Sequence, residues 1–133
     1  MKLYKSILAV FTVLLLISFS NSNEDISLEK IWVFDSCDNY SCTYINKKEF
    51  DKYRIGYEFK KDGIIKVRQN MGSCGTPPIY YEIVEGKWNM ASDSIITIVH
   101  SSWKGKTRTE LKMLKLTENK LVLKDIKESR LSQ

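Results

Sequence analysis

The chain of 133 residues has only one histidine, two prolines and six glycines, and its three cysteines include no C-x-x-C pair. With His100 as the sole imidazole, a thiol nucleophile would have a single candidate base. No strand-to-helix elbow or helix N-terminus accompanies a cysteine to lower its pKa. Paired acids at a catalytic spacing, and a base beside a hydroxyl nucleophile, are also missing. These absences argue against an enzyme. No apolar stripe of period 3.6 is long enough for a core helix, which argues against helical and βαβ architectures. The formal net charge is +5, but lysine and arginine alternate with Glu and Asp along the chain. That spread reads as the solvated face of strands and not as a phosphate-neutralising stripe, so nucleic acid is not an expected partner.

The one long apolar run is at the start. "MKLYKS" supplies two lysines and "ILAVFTVLLLISFS" follows without a charge, the pattern of a secretory signal peptide. The run is shorter than the ~20 residues needed to span a bilayer. Residues 1–22 are therefore expected to be a signal peptide and 23–133 the mature domain, with no membrane span left after cleavage. Loss of Lys2 and Lys5 brings the net charge to +3. Small residues at Ser18, Ser20 and Ser22 suit cleavage near 21 or 23. Export to the periplasm or the extracellular space follows. About 110 residues make one domain, small enough to gain from a covalent staple.

What the mature chain does contain is alternation of period two. In "YRIGYEF" Tyr53, Ile55, Tyr57 and Phe59 share a face; "KKDG" offers Gly63 for a tight turn; "IIKVRQNM" sets Ile65 and Val67 against Lys66 and Arg68. In "IYYEIVEGKWNM" the apolar phase passes from Ile79, Tyr81 and Ile83 to Trp88 and Met90, which predicts a bulge at Gly86. "IITIVHS", "TRTELKMLKL" and "KLVLKDI" complete seven or eight strands. The predicted fold is all-β, an antiparallel up-and-down meander closing into a small barrel.

"LEKIWVF", "YEFKKDG", "EGKWNMASDSIITI" and "LKLTENKLVL" together resemble the small lipocalin-like proteins exported by Bacteroidetes, over nearly all of the mature chain. Lipocalins begin with Gly-x-Trp; here Trp32 is in place and Lys30 holds the glycine position. The resemblance implies a lipocalin-like barrel with Trp32 as a plug beneath it.

In such a meander alternate connections share one rim. The loop around Cys37 and Cys42, the "MGSCGTPP" loop with Cys74, and "SWKGK" with Trp103 and Lys104 are expected there, beside His100. A Cys3His zinc site of Cys37, Cys42, Cys74 and His100 is conceivable at that rim, but an exported protein meets an oxidising environment in which thiols pair. No metal or other cofactor is expected. The favoured staple is Cys37–Cys74, which closes a loop of roughly 35 residues and contributes about 3–4 kcal/mol. A local Cys37–Cys42 bridge is the competing connectivity.

Function must then come from the cavity or the surface. The leading expectation is a noncatalytic binding protein for a small apolar or amphiphilic ligand, lined by Tyr57, Phe59, Tyr81, Trp88 and Met113 and entered past Trp103. A filled core is the competing reading of the same inward residues. The alternative function is a protein-interaction or inhibitor module acting through the rim loops, with Tyr40, Tyr44 and Trp103 as anchors. The domain is expected to be a monomer.

Overall fold

Period-two alternation becomes strand along most of the described residues. In a computed structural model, which describes residues 26–72 and 79–132, eight strands form: β1 (Ile31–Cys37), β2 (Cys42–Lys47), β3 (Gly56–Phe59), β4 (Ile64–Asn70), β5 (Tyr81–Met90), β6 (Ile95–Ser102), β7 (Gly105–Leu116) and β8 (Lys120–Arg130). No helix is present among the described residues. The proposed leader and the "SCGTPP" segment lie outside them.

All neighbouring strands are antiparallel and the sheet closes into a barrel. From β3 to β8 the chain is a plain meander. The first hairpin completes the ring, with β1 against β3 and β2 against β8. Expected as part of a loop, "CTYINK" is instead β2, and it supplies the closing ladder from Cys42↔Leu123 to Ile45↔Lys120. Tyr53, expected on β3, precedes the strand and is exposed.

Because β1 lies between β2 and β3, the chain from 48 to 55 must cross β1. Val33 faces outward, opposite in phase to Trp32, yet is only 3% exposed. Phe50 covers this region: its ring stands 3.3 Å from where a Cβ on Gly56, the cross-strand partner of Val33, would sit. Glycine is required at 56 because that Cβ would also stand 2.6 Å from the Trp32 carbonyl.

The interior is filled at one end. Trp32, Phe59, Ile65, Ile96, Ile98, Leu111 and Leu121 are fully buried, and Leu28 closes the base. The Trp32 indole N–H donates to the Leu28 carbonyl at 2.8 Å, so the plug buries its ring without leaving the donor unpaired. The β7–β8 turn is tied to the first hairpin at the same end. Asn46 N–H donates to Asn119 O (3.0 Å), and Lys30 Nζ donates to Glu118 O (3.0 Å). Gly63 takes φ 78° in the β3–β4 turn, as the "KKDG" pattern predicts.

Candidate functional site

The opposite end receives the β1–β2 turn (38–41), both ends of the β4–β5 connection at Met71 and Tyr80, and the β6–β7 turn at Trp103 and Lys104. The predicted shared rim is therefore observed. Its staple is different. Cys37 is disulfide-bonded to Cys42, not to Cys74, which lies outside the described residues. The reason is the missed strand. Once Cys42 begins β2, it sits directly across the ladder from Cys37 with a Cα separation of 4.0 Å. The adjacent pair is joined by Asp38 N–H to Ser41 O at 2.9 Å, so the cysteines occupy the closer, non-hydrogen-bonded position. The turn is fixed further by Asp38, whose Oδ1 accepts from the N–H groups of Tyr40 and Ser41 at 2.7 Å each. The Tyr40 and Ser41 hydrogen bonds hold the carboxyl of Asp38 below its usual value.

From the closed base upward, aromatics form a continuous ladder inside the barrel. Trp88 meets Phe59 edge-on at 5.2 Å between centroids, Phe59 meets Tyr57 at 5.9 Å, Tyr57 meets Tyr44 at 5.4 Å, and Tyr44 meets Phe34 at 5.9 Å. The Trp88 indole N–H is taken by the Lys60 carbonyl at 2.9 Å. Of the expected lining residues, Phe59 belongs to the buried core, and Tyr57, Trp88 and Met113 pack against it. They fill the lower barrel. Tyr44, expected as a rim anchor, is inside and only 5% exposed.

Tyr81 is not inside. The β4–β5 register is unbroken from Ile64↔Lys87 to Asn70↔Tyr81, so no bulge occurs at Gly86 and the phase never changes. Val84 and Trp88 pack on the core, which sends Tyr81 and Ile83 to the outer face. Tyr81 is shielded there by the Arg68 guanidinium, 5.3 Å from its ring centroid. Gly86 serves a close approach instead, since a Cβ there would run into the Val99 carbonyl oxygen and lie 2.8 Å from the His100 Cβ.

Above the ladder the inward positions turn polar. On β7, Leu111 gives way to Thr109 and Thr107; on β8, Leu121 and Leu123 give way to Asp125 and Glu128; on β6, Ile98 is followed by His100. Gln69 reaches across from β4 to donate to Ser101 O at 2.8 Å. Gln69, His100, Trp103, Lys104, Thr109 and Glu128 border a cavity of about 150 Å³ open at the rim. A second depression of about 340 Å³ lies between the β1–β2 turn and β8, bordered by Tyr40, Leu123 and Asp125. Trp103 stands at the mouth, 51% exposed, with Lys104 Nζ 5.2 Å from its ring centroid. Lys104 also forms an ion pair with Glu128 at 3.8 Å.

The electrostatics of this end are those of crowded acids. Partial burial raises the Asp125 carboxyl above its ordinary value, and the charge of Glu128 adds to the rise. Burial pushes the Tyr57 phenol up to about 12; the hydrogen bond with Tyr44 opposes the shift, while Asp125 and Glu128 reinforce it. Tyr44 is raised further, by burial first and then by Tyr57. Sequence reasoning passed over Asp125, Glu128, Thr107 and Thr109. The signal was present in phase, since Asp125 continues the Leu121–Leu123 alternation and Thr107 and Thr109 continue that of Leu111 and Met113. No group of three or more His, Cys, Asp or Glu side chains is placed to hold a metal ion among the described residues.

Comparison with protein-family models, with curated proteins and with solved structures finds no match to this chain.

Proposed function

We propose that the protein is an exported, noncatalytic lipocalin-like binding module for a small amphiphile carried at the polar end of the barrel. The observation that supports this reading is the change of the interior from a packed aromatic ladder to inward-facing Thr109, His100, Gln69 and Glu128 beneath an open mouth. Pockets for drug-sized ligands run to about 300–1,000 Å³, so a cavity of about 150 Å³ admits only a small group. The polar head of the ligand enters and its apolar remainder lies along Trp103 and the Lys104 stem. Lys104, the one lysine among the described residues bordering this cavity, is already paired with Glu128, which leaves an anionic head with a carboxylate rather than a free cation to meet. Of the apolar and amphiphilic ligands expected from sequence, the amphiphile with an uncharged head fits better. Export is compatible with the Cys37–Cys42 disulfide and with the lack of any membrane-length apolar helix among the described residues.

Native mass spectrometry of protein purified from its own host tests this, with fluorescence titration by an uncharged amphiphile such as a monoacylglycerol. A co-purifying mass of a few hundred daltons and a saturable change in indole emission are expected. Protein free of any adduct, with no saturable response to neutral, cationic or anionic amphiphiles, would overturn the reading. The exposure of Tyr40 (77%) and Trp103 on one rim favours a partner-protein module as the second reading; a protein adduct in the same spectra would establish it.

A further inference from the structure

The barrel is closed between β5 and β6 by a short ladder. Only Lys87–Met90 of β5 pair with β6, whereas β5 pairs with β4 from Tyr81 to Lys87. Among the described residues nothing pairs with Tyr81–Glu85 on the side away from β4. The cause is Gly86, which lets the β6 backbone at Val99 and His100 come up against the inner face of the hairpin instead of beside it. An open edge is a template for another strand, and native edges are commonly blunted by lysine, proline, a bulge or an inward-pointing charge. The inward charge here is Glu82, which restricts pairing to a register that gives it a non-anionic partner. Tyr81–Glu85 has no lysine and no proline, and its register with β4 is continuous. Ile83 stands on its outer face, 49% exposed. Beside it Arg68 is held in place, donating from Nη2 to Lys52 O at 2.6 Å and covering the Tyr81 ring.

We propose that this edge pairs with the same edge of a second copy of the chain, in a two-fold dimer centred on Ile83. Antiparallel pairing keeps outward side chains opposite outward side chains, so the two-fold axis must pass through a residue position. Centred on Glu82, the pairing would set two identical carboxylates face to face. Centred on Val84, it would require Lys87, already taken by β6. Centred on Ile83, it sets Ile83 against the partner's Ile83, Tyr81 against the partner's Glu85, and Glu82 against the partner's Val84. No like charges meet directly. Arg68, lying over Tyr81, then comes beside the partner's Glu85, and the same triad of cation, ring and carboxylate repeats across the axis. Opposed apolar and opposite-charge pairs are the units that stabilise such a ladder. The edge adjoins the rim cavity, whose wall residues Gln69 and Asn70 are the ladder partners of Glu82 and Tyr81.

Sedimentation of the purified protein over a concentration series tests the dimer, with two variants on exposed side chains. Glu85→Lys sets a lysine against Arg68 twice and should raise the dimer dissociation constant about tenfold. Ile83→Cys in a Cys74→Ser chain should form a covalent dimer on mild oxidation, while Tyr53→Cys in the same chain should not. Far-UV circular dichroism checks that each variant is folded. A wild-type chain that sediments as a monomer up to millimolar concentration overturns the proposal. So does a dimer that ignores Glu85→Lys and fails to cross-link at 83, or an edge found occupied by a different protein while the purified chain stays monomeric.

Discussion

Tyr44 and Tyr57 bring their rings within 5.4 Å although β2 and β3 do not pair, because β1 runs between their strands and both side chains turn into the barrel. Their phenols are held protonated by burial above the ordinary value of 10. The linkage has a definite sign. In the unfolded chain the tyrosines ionise near 10, and in the folded chain Tyr57 ionises only near 12. The unfolded state therefore loses protons first, and stability falls as pH rises through 10. Denaturant midpoints should drop over this window in the wild type and drop less in Tyr57→Phe. An unchanged slope in the variant would mean that the phenol is solvated.

Asp125 acts with the same sign at the acid end. Its folded carboxyl is raised above 3.8 by burial and by Glu128, so the ionised form opposes folding. That penalty is fully present above the folded pKa and fades as pH falls through it toward 3.8. Asp125→Asn should therefore be more stable than wild type at neutral pH, and the advantage should shrink on acidification. Asp125 is largely exposed, which keeps the effect small. Equal thermal midpoints at pH 7 would remove the crowded-acid account.

The disulfide is a short staple. Cys37 and Cys42 are five residues apart, and closing so small a loop stabilises by about 2 kcal/mol in the chain-entropy account, less than the longer Cys37–Cys74 loop would. Replacing both Cys37 and Cys42 with Ser should lower stability by about that amount, measured by guanidinium unfolding. Cys74→Ser should change little. A large loss at Cys74 with little at Cys42 would restore the long-range bridge.

The difference between the two bridges shows where sequence legibility stopped. The turn at Gly63 and the shared rim follow from local chemistry and strand count, and they were readable. β2 was not, because its three strand-favouring residues, Thr43, Tyr44 and Ile45, sit among Cys, Asp and Asn residues that signal turns. Missing one strand hid the ladder partner of Cys37 and put Tyr44 on the rim. Tyr81 was misplaced for another reason. Alternation says which residues share a face, but only packing says which face is inside, and Arg68 supplies an apolar-looking tyrosine with cover on the outer side. The polar mouth was overlooked because the lining was sought among aromatics.

Gly86 carries the bend that separates β5 from β6. A methyl group there would meet backbone, the Val99 carbonyl, and the His100 Cβ, neither of which can turn aside as a side-chain tip could. Gly86→Ala should destabilise the domain by about 1–3 kcal/mol, the usual penalty of forcing an atom into packed structure. A neutral effect in thermal unfolding would show that β6 moves freely past the hairpin.

Trp103 separates a ligand at the mouth from one inside the ladder. Its indole is half exposed and borders the cavity, with Lys104 against its face, so removing it should leave folding almost untouched. A ligand that lies on the ring loses that contact, and Trp103→Ala should weaken binding of an uncharged amphiphile about tenfold, the scale of roughly 1–1.5 kcal/mol for an aromatic contact. Trp88, packed on Phe59 with its N–H on Lys60, is at the filled end. Trp88→Ala should lower stability and leave affinity in the folded protein nearly unchanged. Tyr81→Ala, on the outer face, should alter neither affinity nor the emission change on titration. Isothermal titration of the three variants with a monoacylglycerol distinguishes the locations. If Trp88→Ala abolishes binding while Trp103→Ala does not, the ligand enters the ladder, and the polar mouth is only its vestibule.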